Sequence, residues 1–172
     1  MTLPAHATTL IRANAAPCAD TVVLSYDERF LRRKRLQTVS GLGVMVDLAE
    51  TTSLAQGDAL VLEDGRLIGV IAAPEPILLV RGDLARLAWH IGNRHTPCQI
   101  CPDHLLIRQD HVLEAMLLQL GAKVSRSIEP FTPEGGAYGH GRTFGHDHGG
   151  YDHGVAEPAG FQLPANLWKG NP

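Results

Sequence analysis

An α+β fold, in two folded units followed by a tail, is what this sequence predicts, and three observations predict it. The first half is a series of short β-branched or leucine-rich runs separated by polar or glycine-containing breaks. In the second half, apolar residues switch to a 3.6-residue period twice, between runs of strand character. Beyond residue 131 no periodicity survives: eight of the twenty residues from Gly135 to Gly154 are glycine, and ordering them would cost more backbone entropy than their few apolar side chains could offset. The predicted units are 1–74, 75–131 and a flexible Gly/His-rich C-terminal tail, 132–172.

The elements follow in chain order. Residues 8–13, 21–26, 34–39 and 43–49 read as strands, and 58–73 reads as a hairpin. Asp64-Gly65 between its two apolar runs suggests the φ > 0 pair of a type I′ turn. Together these make a small all-β N-terminal domain. Pro74 and Pro76 bracket Glu75 where the pattern changes, which favours a stiff connection over a mid-sheet position. Residues 77–81 read as a buried strand. Asp83 is placed to cap a helix carrying Leu84, Leu87, Ala88 and Ile91, with Gly92-Asn93 as its stop. Residues 96–101 and 104–108 read as strands on either side of Pro102-Asp103. Asp110 then caps a helix with Val112, Leu113, Met116, Leu117 and Leu120, which Gly121 ends. Residues 123–131 alternate as a last strand. The order βαββαβ is that of a ferredoxin-like domain, four antiparallel strands with two helices on one face.

The composition excludes several function classes. With 172 residues, 44% hydrophobic, the chain can bury two small cores. Its net charge of −3 gives no general attraction to nucleic acid or anionic membrane. Three cysteines, Cys18, Cys98 and Cys101, are too few and odd in number for a disulfide framework. The opening residues lack a secretory pattern, and no apolar run approaches about 18 residues. A reducing cytoplasm is the expected compartment. The run 29–36 holds five positive charges in the seven residues from Arg29 to Arg35. It reads either as a solvated strand edge that discourages pairing or as a docking patch for an acidic partner. No aromatic platform is interleaved to suggest nucleic-acid binding.

The chemistry lies in imidazoles. His140, His146, His148 and His153 fall within fourteen positions. Neutral imidazole is a good ligand for nickel, zinc, copper and cobalt, and a free histidine is mostly unprotonated near neutral pH. Such a site loses metal on acidification as protons compete. Glycine-rich surroundings suit capture and release better than a rigid catalytic site would. A uniform purification tag would not mix in Tyr138, Arg142, Phe144, Tyr151 and aspartates. A second group is His90, His95, Cys98, Cys101 and His104. Its His-x2-Cys-x2-Cys-x2-His register, 95 to 104, matches zinc-ligand spacing, and Cys98-x2-Cys101 also matches a redox pair. Residues three apart on a strand face opposite ways, so buried inert thiols are the competing reading. His95 sits just past the helix stop, where a side chain can project.

Several blocks carry a family resemblance: "HIGNRH" at 90–95, Pro97, Gln99 and Ile100, "DHVLEAMLLQLG" at 110–121, "PEGGAYGHG" at 133–141, and "DERFLRRKRL" at 27–36. Together with the histidine-bearing tail they resemble the UreE family of urease accessory metallochaperones. The resemblance implies a cytoplasmic homodimer that binds Ni(II) and hands it, with the GTPase UreG and with UreF and UreD, to the urease apoprotein. It implies no catalytic activity, a partner- or peptide-binding role for residues 1–74, and metal binding and dimerisation for 75–131. The interface metal ligand falls on His95. A residue near a two-fold axis meets its own copy, so one histidine per chain becomes two donors. The tail histidines complete the sphere as tethered ligands. His90 and His111 match peripheral ligands in parts of the family, His111 being equally placed to be a solvated helix residue. Cys98 and Cys101 depart from the family's usual apolar residues, and the tail is sparse in histidine.

Imidazole also accepts Zn(II) and Cu(II), so nickel is implied by the resemblance alone. A metal store or sensor without delivery uses the same capture chemistry and stays open. A metallohydrolase needs about three fixed ligands and a general base, and no His-Glu-x-x-His or comparable set is present.

Overall fold

The structure, a computed structural model, describes residues 4–135. Ten strands and two helices form two sheets among these residues. The first sheet has the order β2-β6-β5-β1-β4-β3, built from β1 (Ala5–Ile11), β2 (Asp20–Leu24), β3 (Phe30–Gln37), β4 (Gly43–Ser53), β5 (Ala59–Leu62) and β6 (Leu67–Ala72). Its pairs are antiparallel except β1 with β4 and β2 with β6. Alternation sets the inner face: Val44, Val46 and Leu48 of β4 are buried in turn and join Val22, Leu36, Leu60, Ile68 and Val70 in one core.

Two expectations for this half need correcting. Gly65 has φ +83 but Asp64 is not among the positive-φ residues, so the turn is not type I′. Gly65 N donates to Leu62 O and Leu62 N to Arg66 O, both at 2.9 Å, which is a three-residue loop with glycine in the left-handed position. The extra residue lets Asp64 keep an ordinary φ and bind the Arg66 guanidinium at 2.8 Å. The second correction concerns Pro74 and Pro76. They lie within β7 (Pro74–Arg81), whose neighbours are β9 (Leu105–Arg108) and β10 (Lys123–Pro130), and stand opposite Pro130 and Ile128 of β10. Pairing of β7 with β9 begins only at Ile77. The prolines therefore occupy a stretch with one strand neighbour, where a missing N–H is tolerated.

The second sheet has the order β10-β7-β9-β8, antiparallel throughout. Its remaining elements are α1 (Leu84–Gly92), β8 (Gln99–Ile100), β9 (Leu105–Arg108), α2 (His111–Gln119) and β10 (Lys123–Pro130). Strand β8 is shorter than the 96–101 expected, being bounded by Pro97 and Pro102. Both helices cover one face: Leu87 and Ile91 of α1 and Leu113 and Leu117 of α2 pack on Leu78, Val80, Leu105 and Ile107. The opposite face carries Ile77, Leu106 and Phe131 against Tyr26 of the first half. The second sheet is thus buried on both sides, which is why β9 reads as a continuous apolar run. No helix among the described residues is long and apolar enough to cross a membrane.

Candidate metal centre

His95 owes its position to the way α1 ends. Asn93 N donates to Trp89 O at 2.9 Å, Arg94 N to Ile91 O at 3.1 Å and His95 N to Gly92 O at 2.9 Å. These bonds use the last carbonyls of the helix in a tight reversal. The reversal leaves His95 at φ +54, a left-handed conformation that favours glycine, with its side chain exposed. Pro97, two residues on, bars any continuation of the helix.

His111 arrives from a different element. The Asp110 carboxylate accepts from Val112 N at 2.8 Å and Leu113 N at 3.0 Å, fixing His111 as the first residue of α2. His95 and His111 line one open cleft of about 870 Å³, whose wall also includes Glu75, Arg108 and Asp110. Glu75 Oε1 accepts from Tyr26 N at 2.8 Å. Arg108 pairs with Asp27 at 2.6 Å, and its guanidinium lies 5.3 Å from the Tyr26 ring centroid. One wall of the cleft is therefore tied to the first sheet's unit. Glu75 and Arg108 have no local sequence signal for the cleft, because each is held there through a contact distant in the chain, whereas Asp110 is legible as the cap of α2.

The other candidates lie elsewhere. His90 is half-buried on the last turn of α1, edge-on to Trp89 at 4.9 Å, and does not line the cleft. His104 bonds Asp103 at 2.7 Å, and that bond holds the Asp103 carboxyl below its ordinary pKa. Cys98 packs with the helix-side core and Cys101 with the opposite cluster, so the two thiols point to different sides of the sheet. Burial, then the nearby Glu134 and Cys101, pushes the Cys98 thiol up to about 11. Among the described residues no three His, Cys, Asp or Glu side chains converge to hold a metal ion, and the 95–104 zinc register is not assembled within the chain. His140, His146, His148 and His153 lie outside the described residues.

His95 and His111 thus face one open cleft whose two carboxylates are already engaged, Asp110 in capping α2 and Glu75 with the Tyr26 N–H. Comparison with known proteins decides the family. Residues 3–73 match the N-terminal domain of the UreE urease accessory protein and residues 75–156 match its C-terminal domain. The chain belongs to the UreE family. Among UreE relatives, the urease accessory protein UreE of Rhodobacter capsulatus is 66% identical over 131 residues, covering 76% of this chain and 84% of the relative. The UreE protein of Ruegeria pomeroyi is 67% identical over 130 residues, covering 75% of this chain and 87% of its own. The two UreE matches meet near Pro74, where the first sheet ends and β7 begins.

Proposed function

We propose that this chain is a nickel-binding metallochaperone, not an enzyme, that delivers Ni(II) for assembly of the urease metallocentre. The observation that carries the reading is the shared cleft of His95 and His111 in a chain of the UreE family. A cargo ion needs more donors than one such cleft offers, and a homodimer supplies them by bringing two copies of His95 to a two-fold axis. Exposed Trp89 on α1 and exposed Val112 and Leu118 on α2 supply apolar surface for that contact. The tail imidazoles His140, His146, His148 and His153 complete the coordination, and His90 is peripheral. On this reading residues 75–131 form a ferredoxin-like metal and dimer domain, residues 1–74 bind a partner or peptide, and 132–172 are the donor arm. Its partners are UreG, UreF, UreD and the urease apoprotein, in the cytoplasm, with Zn(II) and Cu(II) as competitors for the site.

Calorimetric titration with nickel tests it. The full chain should show one tight site per dimer plus weaker ones. His95→Ala should lose the tight site, and truncation after Gly139 should lower the stoichiometry while leaving the dimer intact. Unchanged tight binding in His95→Ala would refute the assignment. A store or sensor is the alternative. It predicts no binding to the accessory GTPase and no transfer of nickel to apo-urease, whereas delivery predicts both.

A further inference from the structure

Strand β3 borders the first sheet and pairs with β4 alone. Residues 33–37 run in unbroken antiparallel register with 43–47. In such a ladder alternate residues turn their N–H and C=O away from the partner strand. Among the described residues, no backbone group of 32–37 is bonded outside the ladder. The same stretch carries four consecutive cations. Arg33 is paired with Asp47, but Arg32, Lys34 and Arg35 are exposed and enter no ion pair among the described residues. Glu28, within electrostatic reach of Lys34, is already engaged, accepting from Ser25 N at 2.9 Å. Cross-strand neighbours share a face. Arg33 and Arg35 stand opposite Asp47 and Met45, on the face turned from the core, whereas Lys34 stands opposite the buried Val46, in the row of Leu36. Positive charge therefore flanks the open edge on both faces.

We propose that the free edge of β3 is a docking site for an extended acidic segment of a partner protein, which adds as a strand beside residues 33–37 and meets Arg32, Lys34 and Arg35 with its carboxylates. The proposal deepens the reading of residues 1–74 as a partner-binding unit and rests on it. Two independent features select the occupant. The open backbone groups call for a polypeptide, because an extended chain presents N–H and C=O at the matching spacing and a phosphodiester or lipid headgroup does not. The three cations without an ion pair call for acidic side chains. A second copy of β3 is a poor occupant, since like charges placed opposite one another are destabilising. The run that keeps this edge from pairing with itself is thus what admits an acidic strand. A net charge of −3 and the lack of any aromatic side chain in 31–37 disfavour a nucleic acid.

The test is fluorescence anisotropy at low salt, with the full chain and a labelled octapeptide alternating glutamate and threonine. This peptide should bind saturably, and the same peptide with lysine for glutamate should not. Arg32→Glu, Lys34→Glu and Arg35→Glu together should weaken the glutamate peptide by about tenfold or more and admit the lysine one. Arg33 and its pair with Asp47 stay in place, so the sheet keeps that contact. Methylating every backbone nitrogen of the glutamate peptide keeps its charge and removes its ladder donors, and should abolish binding. Hydrogen exchange on the parent chain needs no variant: the amides of 33–37 should slow when the peptide is added, and those of β2, the opposite border, should not. Absence of binding by the glutamate peptide overturns the proposal. So does equal binding by a thymidine oligonucleotide of the same charge, or binding indifferent to methylation, because a charged patch alone would then suffice. The nickel reading fails separately: tight nickel binding retained in His95→Ala refutes it and leaves the peptide results standing, and the triple reversal should leave nickel binding unchanged.

Discussion

His95 sits at φ +54, where a side chain other than glycine costs roughly 1–2 kcal/mol. A residue chosen for backbone comfort alone would be glycine. His95→Gly should therefore abolish tight nickel binding as His95→Ala does, while keeping the unfolding free energy within about 1 kcal/mol of the parent, measured by thermal unfolding. Cys98 shows the opposite situation, a group whose environment silences it. Its thiol ionises near 9.0 when unfolded and about 11 when folded, so protonation favours the native state. That stabilisation is full below the unfolded value and is lost as pH rises from 9.0 to about 11. Urea midpoints should fall across this window, and fall less in Cys98→Ala. An equal fall in both would show that Cys98 is not responsible. The three-residue spacing of Cys98 and Cys101 already favours opposite faces, and their packing in different clusters agrees with it.

At the scale of elements, capping carried most of the legible information. Asp83 and Asp110 both cap as their spacing predicts, with Asp83 Oδ1 accepting from Arg86 N at 3.2 Å and Asp110 holding two N–H groups. Asp110→Ala should cost about 0.5–2 kcal/mol, read by chemical denaturation, and should also disturb His111 in the first turn beside it. Strand β3 was less legible. It begins at Phe30 rather than 34, a start hidden in the sequence because Arg32, Arg33, Lys34 and Arg35 erase the alternation expected of a half-buried strand. It is an edge strand pairing only with β4 in its sheet. The charges from Arg32 to Arg35 therefore occupy the position the edge reading requires, with Arg33 paired to Asp47 at 2.6 Å, whereas Arg29 is buried against the Phe131 carbonyl and is no part of a solvated edge. The turn at Gly65 and the prolines of β7 differ from the sequence expectation for a shared reason: local residues state which conformations are permitted, while loop length and the number of neighbouring strands depend on partners far along the chain.

For the molecule as a whole, the seam between the two sheets organises the site. Phe131 is edge-on to Tyr26 at 5.4 Å and packs with Ile77 and Leu106. Around this contact Arg108 reaches Asp27 and Glu75 reaches the Tyr26 backbone, and Arg108 and Glu75 both line the cleft. Phe131→Ala should cost about 3–5 kcal/mol and loosen the anchor of the chain that leads to Thr132. Denaturant unfolding checks the first effect, and amide exchange at Thr132 and Glu134 checks the second. A loss below about 1 kcal/mol would mean that the seam contributes little to stability.

By itself the sequence determined the strand-rich first half, both helices with their caps and the βαββαβ order. Each of these is written in residues close together in the chain, as period or cap. Only the tertiary structure decided that His95 and His111 share a cleft, that His90 stands apart from it, and that Gln99 holds Thr132. Those relations join residues on different elements, and packing of the two sheets sets the distances that local sequence cannot express.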